Sequence, residues 1–217
     1  MSSLARRPLK SRQTAWAKML AQILLAKKVH PNHVSIASVF FASLASSFLI
    51  LTGCGEPGVA TMLFYLGAAA CIQLRLLCNM LDGLLAVEGG LKTRLGDLYN
   101  EIPDRAADTM ILVGAGYSIS SFDFGIALGW AGALFAVLTA YLRLLGVSLG
   151  TKAYFNGPQA KPHRMALLTV GCILAAFLVS SKKDHHTIAL SLTLIVIGSV
   201  ATCIRRLNFI TAELHQS

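Results

Sequence analysis

Two stretches of the chain carry acids and amides at helical spacing. One runs Asn79-Met80-Leu81-Asp82-Gly83-Leu84-Leu85-Ala86-Val87, the other Gly96-Asp97-Leu98-Tyr99-Asn100-Glu101-Ile102-Pro103-Asp104. Together they read N-x-x-D-G-x-x-A-V-x(8)-G-x-x-x-N-x-x-x-D. Asn79 and Asp82 lie three apart and Asn100 and Asp104 four apart, so each pair shares one face of a helix. The loop between the two stretches is short. It predicts antiparallel helices whose polar faces converge. Oxygen donors gathered in this way suit Mg²⁺, Mn²⁺ or Ca²⁺ better than zinc. A cation held there would neutralise phosphate charge, and a carboxylate beside it could take the proton of an alcohol. Phosphotransfer is the chemistry these residue types serve. Gly83 and Ala86 are small, so a flat ligand or another backbone can approach that face closely.

These groups sit in an apolar chain. Of 217 residues, 55% are hydrophobic and only 13% charged, and the mean hydropathy is +0.64. That balance excludes an ordinary soluble domain and fits an integral membrane protein. The formal net charge of +9 would suit nucleic acid. However, Lys and Arg gather at helix ends rather than on one polar face, so basic cytoplasmic ends explain it and no nucleic-acid partner is expected. Ionisable groups at membrane depth are costly and generally serve function. No cleavable signal peptide is expected. Cys54, Cys71, Cys78, Cys172 and Cys203 form no C-x-x-C pair and no Cys/His cluster, so they read as buried thiols rather than disulfides or zinc ligands. The six histidines show no ligand spacing and read as non-catalytic. Trp16 and Trp130 read as interfacial or packing aromatics.

The predicted fold is all-α: a six-helix transmembrane bundle with an N-terminal amphipathic interfacial helix. Residues 1–29 comprise a basic tail with Arg6, Arg7, Lys10 and Arg12, then an amphipathic segment over 13–29. That segment has Trp16, Leu20, Ile23 and Leu24 on one side and Lys18, Gln22 and Lys28 on the other. Residues 30–217 form the membrane domain. Its spans are predicted near 34–52 (with Asn32 as N-cap), 59–87, 94–118, 124–149, 164–179 and 187–204. Lys92, Arg94, Lys152, Lys161, Arg164, Arg205 and Arg206 fall on one side with the N-terminal segment, and Lys182 and Lys183 on the other. The positive-inside rule then places both termini and the polar site in the cytoplasm, in a membrane that reads as a bacterial cytoplasmic one. Four basic residues lie near the site. Arg143 is an intramembrane cation that needs an anionic partner. Lys161 and Arg164 follow Gly157-Pro158. Arg75 lies one turn before Asn79.

The two-part pattern resembles, at every interval, the signature of the CDP-alcohol phosphatidyltransferase family, D-x-x-D-G-x-x-A-R-x(8)-G-x-x-x-D-x-x-x-D. Asp82, Gly83, Ala86, Gly96 and Asp104 agree in type. Asn79 and Asn100 stand where the family has Asp, and Val87 where it has Arg. The resemblance implies a membrane transferase of phospholipid biosynthesis. It would move a substituted phosphate from a CDP-linked lipid donor, CDP-diacylglycerol first, to a small alcohol, and would release CMP. It implies Mg²⁺ or Mn²⁺ held by Asn79, Asp82, Asn100 and Asp104, with Asp104 as the catalytic base, and a homodimer among membrane lipids. Gly83 and Ala86 would border the nucleotide. Arg143, Lys161 and Arg164 would bind phosphate, which favours a phosphorylated acceptor. On a helical wheel Asp97, Glu101, Asp104 and Asp108 form one stripe, so Glu101 is expected to supply a missing carboxylate to the metal, with Asp108 or Asp97 as substitutes. Arg105 or Arg94 would stand in for the arginine lost at Val87. Two other readings stay open: an inactive member that binds lipid or nucleotide, and a transporter with acids lining a cation path. The absence of a repeat or a broken-helix pair speaks against the transporter.

Overall fold

The computed structural model describes residues 14–90, 94–119 and 121–215. Expectations that rest on Arg6, Arg7, Lys10 and Arg12, on Lys92, and on the side chains of Arg94 and Asp97 lie outside the described residues. Most of the described residues are helical, with α1 at Ala15–Ala26, α2 at Pro31–Cys54, α3 at Val59–Glu88, α4 at Arg94–Ser118, α5 at Gly125–Ser148, α6 at Lys161–Leu178 and α7 at Asp184–Leu214. By length and composition α2, α3, α5, α6 and α7 can each cross a membrane. With 25 residues, α4 has the length as well, at about 1.5 Å of rise per residue. Its first half is the polar one.

The six long helices close a ring in the order α2, α3, α6, α7, α5, α4. The helices that carry the two halves of the motif touch only sparsely, contrary to the expectation of antiparallel neighbours; α2 packs along both instead. Because the helices alternate in direction, α2, α4 and α6 begin, and α3, α5 and α7 finish, at one end of the bundle. The polar motif lies at that end.

Some boundaries differ from expectation for local reasons. The first long helix opens at Pro31, not beyond Asn32. Its cap is His30, whose Nδ1 accepts the Asn32 N–H at 3.3 Å. Proline is tolerated at this first position because its missing N–H would have had no intrahelical partner. By the same rule Pro162 sits in the first turn of α6, which starts at Lys161 rather than Arg164. The last helix continues ten residues past Ile204, to Leu214.

The core is built from small residues and branched apolar ones, including Ala42, Ala45, Leu49, Ile72, Ile111, Leu112, Leu168 and Ile188. The outer surface is apolar too: Phe40, Leu134 and Phe177 are 64%, 65% and 70% exposed. Water would penalise such a surface, whereas lipid tails match it. Between helices in lipid, close backbone approach takes over the role that the hydrophobic effect plays in water. Gly116 of α4 and Gly129 of α5 meet in this way, as do Gly114 and Ser46. The interfacial helix α1 docks on α3 through the fully buried Ala17 and Ala21, joined by Leu20, Leu24 and Leu25. The expected apolar stripe is therefore divided. Leu20 and Leu24 turn to protein, while Trp16 and Ile23 stay exposed with Met19.

A Cβ added at Gly129 would lie 2.8 Å from the Gly116 Cα, whereas one at Gly132 meets nothing nearer than 3.8 Å. Gly129→Val is therefore expected to destabilise the bundle by about 1–3 kcal/mol, the usual cost of overpacking. Gly132→Ala is expected to be close to neutral. Thermal unfolding of the two purified variants in detergent checks the contrast.

Candidate active site

Four helices build the polar end. On α3, Arg75, Asn79 and Asp82 follow one another at one-turn intervals. On α4 the contributing residues are Asn100, Asp104 and Asp108, each one turn beyond the last. Pro103 precedes Asp104 and removes one backbone donor from the helix there. On α6, Lys161 and Arg164 occupy the first turn. On α2, Ser35 lies one turn after Pro31.

Asn79 bridges the two halves of the motif. Its Nδ2 donates to Asn100 Oδ1 at 3.2 Å and to Asp104 Oδ1 at 2.8 Å. Its Oδ1 accepts from Lys161 Nζ at 2.7 Å. Lys161 also forms an ion pair with Asp104 Oδ2. Asp82 lies within electrostatic reach of both Asp104 and Lys161. Its Oδ2 accepts from Ser35 Oγ at 2.7 Å, while its Oδ1 is buried without a hydrogen-bond partner. The residue is only 4% exposed. A buried carboxylate oxygen left in that state is costly unless a cation or donor reaches it.

Beneath this layer lies a buried ion network. Asp108 accepts from Arg75 Nη2 at 2.7 Å and from Arg164 Nη2 at 3.1 Å. Arg75 Nη2 also contacts Asp104, at its carbonyl (3.2 Å) and at Oδ1 (3.3 Å). Arg164 Nη1 donates to the Gln159 carbonyl at 2.7 Å and to Thr139 Oγ1 at 3.3 Å. Arg206 donates to the carbonyls of Thr139 and Asn156. The network thereby joins α3, α4 and α6 to α5 and α7.

Not every expected residue arrives. Asn79, Asn100, Asp104 and Lys161 are brought together, with Asp82 beside them. The Glu101 carboxylate instead turns to Arg143, at 2.7 Å, and to Arg105. Both of its oxygens are engaged by arginine. Asp108 is likewise shared between two arginines and offers no free carboxylate. Arg143 does not snorkel outward: its side chain is 11% exposed and its guanidinium also lies 5.3 Å from the Phe155 ring centre. Lys161 reaches into the motif itself rather than a separate phosphate pocket. Gly83 and Ala86 are buried on α3, and Val87 is exposed. Ser35 was missed by sequence reasoning. A serine in the first turns of an apolar helix carries no signal of its own, and only the packing of α2 on α3 reveals it. Thr139 and Arg206 were missed for the same reason.

Among the described residues, no three His, Cys, Asp or Glu side chains come together as a metal nest. The donors present are two carboxylates, Asp82 and Asp104, with the amide oxygens of Asn79 and Asn100. These are hard oxygen ligands of the kind that Mg²⁺ and Mn²⁺ take. The unpartnered Oδ1 of Asp82 fits a cation at that end.

Asp108→Ala would remove the carboxylate that two buried guanidinium groups share, a loss of about 3–5 kcal/mol for a buried network. The partners of Glu101 are partly exposed, 23% for Arg105 and 11% for Arg143, so Glu101→Ala is expected to cost less. Unfolding midpoints of the two variants in detergent should fall in that order.

No family model matches the chain. An uncharacterized protein of Aquifex aeolicus (strain VF5) is 27% identical over 180 residues, which cover 82% of this chain and 80% of that one. Among solved structures, the chain resembles the phosphatidylinositol phosphate synthase PgsA1 of Mycobacterium tuberculosis. Its complex with manganese and citrate aligns at a TM-score of 0.74 and 20% identity, over 89% of this chain and 88% of that one. Its form with CDP-DAG bound aligns at 0.71 and 23% identity, over 89% and 92%. Its apo form aligns at 0.69 and 21% identity, over 87% and 93%. The two proteins share a fold along nearly their whole lengths.

Proposed function

We propose that this chain is an integral-membrane phosphotransferase of phospholipid biosynthesis. It takes a CDP-linked lipid, CDP-diacylglycerol in the first instance, and an alcohol acceptor, and releases CMP. The observation that carries this reading is the meeting of Asn79, Asp82, Asn100 and Asp104 at one end of the bundle, at the intervals of the family signature. The shared fold adds support, since PgsA1 takes CDP-DAG in one structure and manganese in another.

The residues divide the work as follows. The diphosphate of the donor lies against Asp82, Asn79 and Lys161. The acceptor hydroxyl oxygen attacks the phosphorus that bears the lipid, the bond from that phosphorus to the oxygen of CMP breaks, and CMP departs. The hydroxyl proton passes to the carboxylate of Asp104. Asn79 and Arg75 orient that carboxylate through its Oδ1. Asp82 would hold a Mg²⁺ or Mn²⁺ ion beside Asn79, Asn100 and Asp104, and that ion would supply charge neutralisation for the departing nucleotide. Arg164 and Arg143 lie to the α5 side, suited to an acceptor that itself carries phosphate. The basic residues at this end favour the cytoplasmic face, where a water-soluble nucleotide can leave. The same resemblance favours a homodimer with 30–217 as its membrane domain.

One observation favours a second reading: the neutral amides of Asn79 and Asn100 stand where the signature has carboxylates, as a protein that binds a CDP-lipid without turning it over would show. One assay separates the two. Purified protein receives CDP-diacylglycerol and Mn²⁺ with glycerol phosphate, inositol phosphate or serine, and CMP is measured. The transfer reading predicts CMP release with one of these acceptors and its loss in chelator. It also predicts at least about a hundredfold loss in Asp82→Ala and Asp104→Ala, the range expected when a positioned acid–base group is removed. CDP-lipid binding with no CMP from any acceptor would establish the second reading instead.

A further inference from the structure

The transfer reading gives Lys161 a phosphate contact but does not explain why its ammonium lies inside the oxygen cluster, between Asn79 and Asp104. As the first residue of α6 it could have extended into water with the other basic helix-end residues. Instead its ammonium enters the oxygen cluster, donating to Asn79 Oδ1 at 2.7 Å and pairing with Asp104, and its side chain is 17% exposed. An ammonium has three N–H donors. Two are taken by Asn79 and Asp104, which leaves one for a phosphoryl oxygen.

We propose that the Lys161 ammonium is a fixed internal cation at the Asn79–Asp104 end of the site, and that the site binds a single divalent ion, at the Asp82 end. This rests on the transfer reading only for the identity of the phosphate that both cations would face. The pattern of ion pairs supports it. Asp108 is held by Arg75 and Arg164, and Asp104 by Arg75 and Lys161, which leaves Asp82 as the carboxylate of this network without an ion pair. Asn79 and Asn100 add no charge. Phosphoryl displacement is commonly served by two cations that clamp the attacking and leaving oxygens. Here the second place is filled by a tethered ammonium, which cannot dissociate and asks for no carboxylates beyond Asp104. Geometry agrees, because the donor atoms already committed lie at the Asn79–Asp104 end. The oxygen with no partner, Asp82 Oδ1, lies at the other.

The test is Mn²⁺ binding to the full chain in detergent, read by EPR and by metal analysis, with no turnover required. The expected result is one Mn²⁺ per chain with an uncoupled spectrum. In Lys161→Met the same single ion is expected to bind at least tenfold more tightly, because a neighbouring positive charge is gone and Asp104 is released. Two spin-coupled ions per chain in the wild type, no bound ion, or unchanged Mn²⁺ affinity in Lys161→Met would each overturn the inference. Should Lys161→Met not fold, Lys161→Gln carries the same comparison, and the wild-type stoichiometry stands alone as a test. One bound ion without CMP release would sink the transfer reading and leave this inference. Two ions with CMP release would do the reverse.

Discussion

The constraint on which the structure depends is charge balance in a space with little water. Asp82, Asp104 and Asp108 are at most 7% exposed, and Arg75 and Arg164 at most 1%. Each would be expensive alone at that depth. They are tolerable because Arg75 spans Asp104 and Asp108, Arg164 closes on Asp108, and Lys161 closes on Asp104. Such pairs fix where helices can stand. The link from Arg75 to Asp108 joins α3 to α4 although the two helices hardly pack. The link from Arg164 to Asp108 ties α6 to α4 across the ring. Of these carboxylates, Asp82 alone is left with an open oxygen, the place proposed for a mobile cation.

The rest of the bundle follows from the solvent. Lipid offers no reward for burying leucine, so the helices associate through small residues. Gly116 on Gly129 and Gly114 on Ser46 bring backbones close. Toward the opposite end, Tyr65 donates to Asp184 at 3.2 Å and Ser121 meets His185 at 2.7 Å. One end of the molecule is thus a plain helical scaffold and the other a concentrated charge network. Substrates with a soluble nucleotide head and a greasy tail could approach this second end from water and lipid at once.

Much of this was legible in the chain. The six long helices and their polar ends follow from hydropathy and Pro/Gly punctuation. The convergence of Asn79, Asn100 and Asp104 follows from residue spacing. What was not legible depends on tertiary geometry. Glu101 shares the stripe of Asp104, yet two arginines, one of them on α5, claim it. Lys161 was expected to bind phosphate, and its direct contacts with Asn79 and Asp104 arise only because α6 packs on α3. Ser35 has no sequence signal at all. The adjacency of α3 and α4, inferred from a short loop, gave way to α2 packing along both. A loop length fixes how far apart two helix ends can be, not which faces pack along their lengths.

The central claim is that the donor diphosphate binds where α3, α4 and α6 meet. A structure determined with CDP-diacylglycerol and Mn²⁺ tests it most directly. The account predicts the diphosphate within hydrogen-bonding distance of Lys161, and manganese density against Asp82. A diphosphate bound elsewhere, for example against Arg105 and Arg143 with the Asn79–Lys161–Asp104 contacts intact, would contradict it.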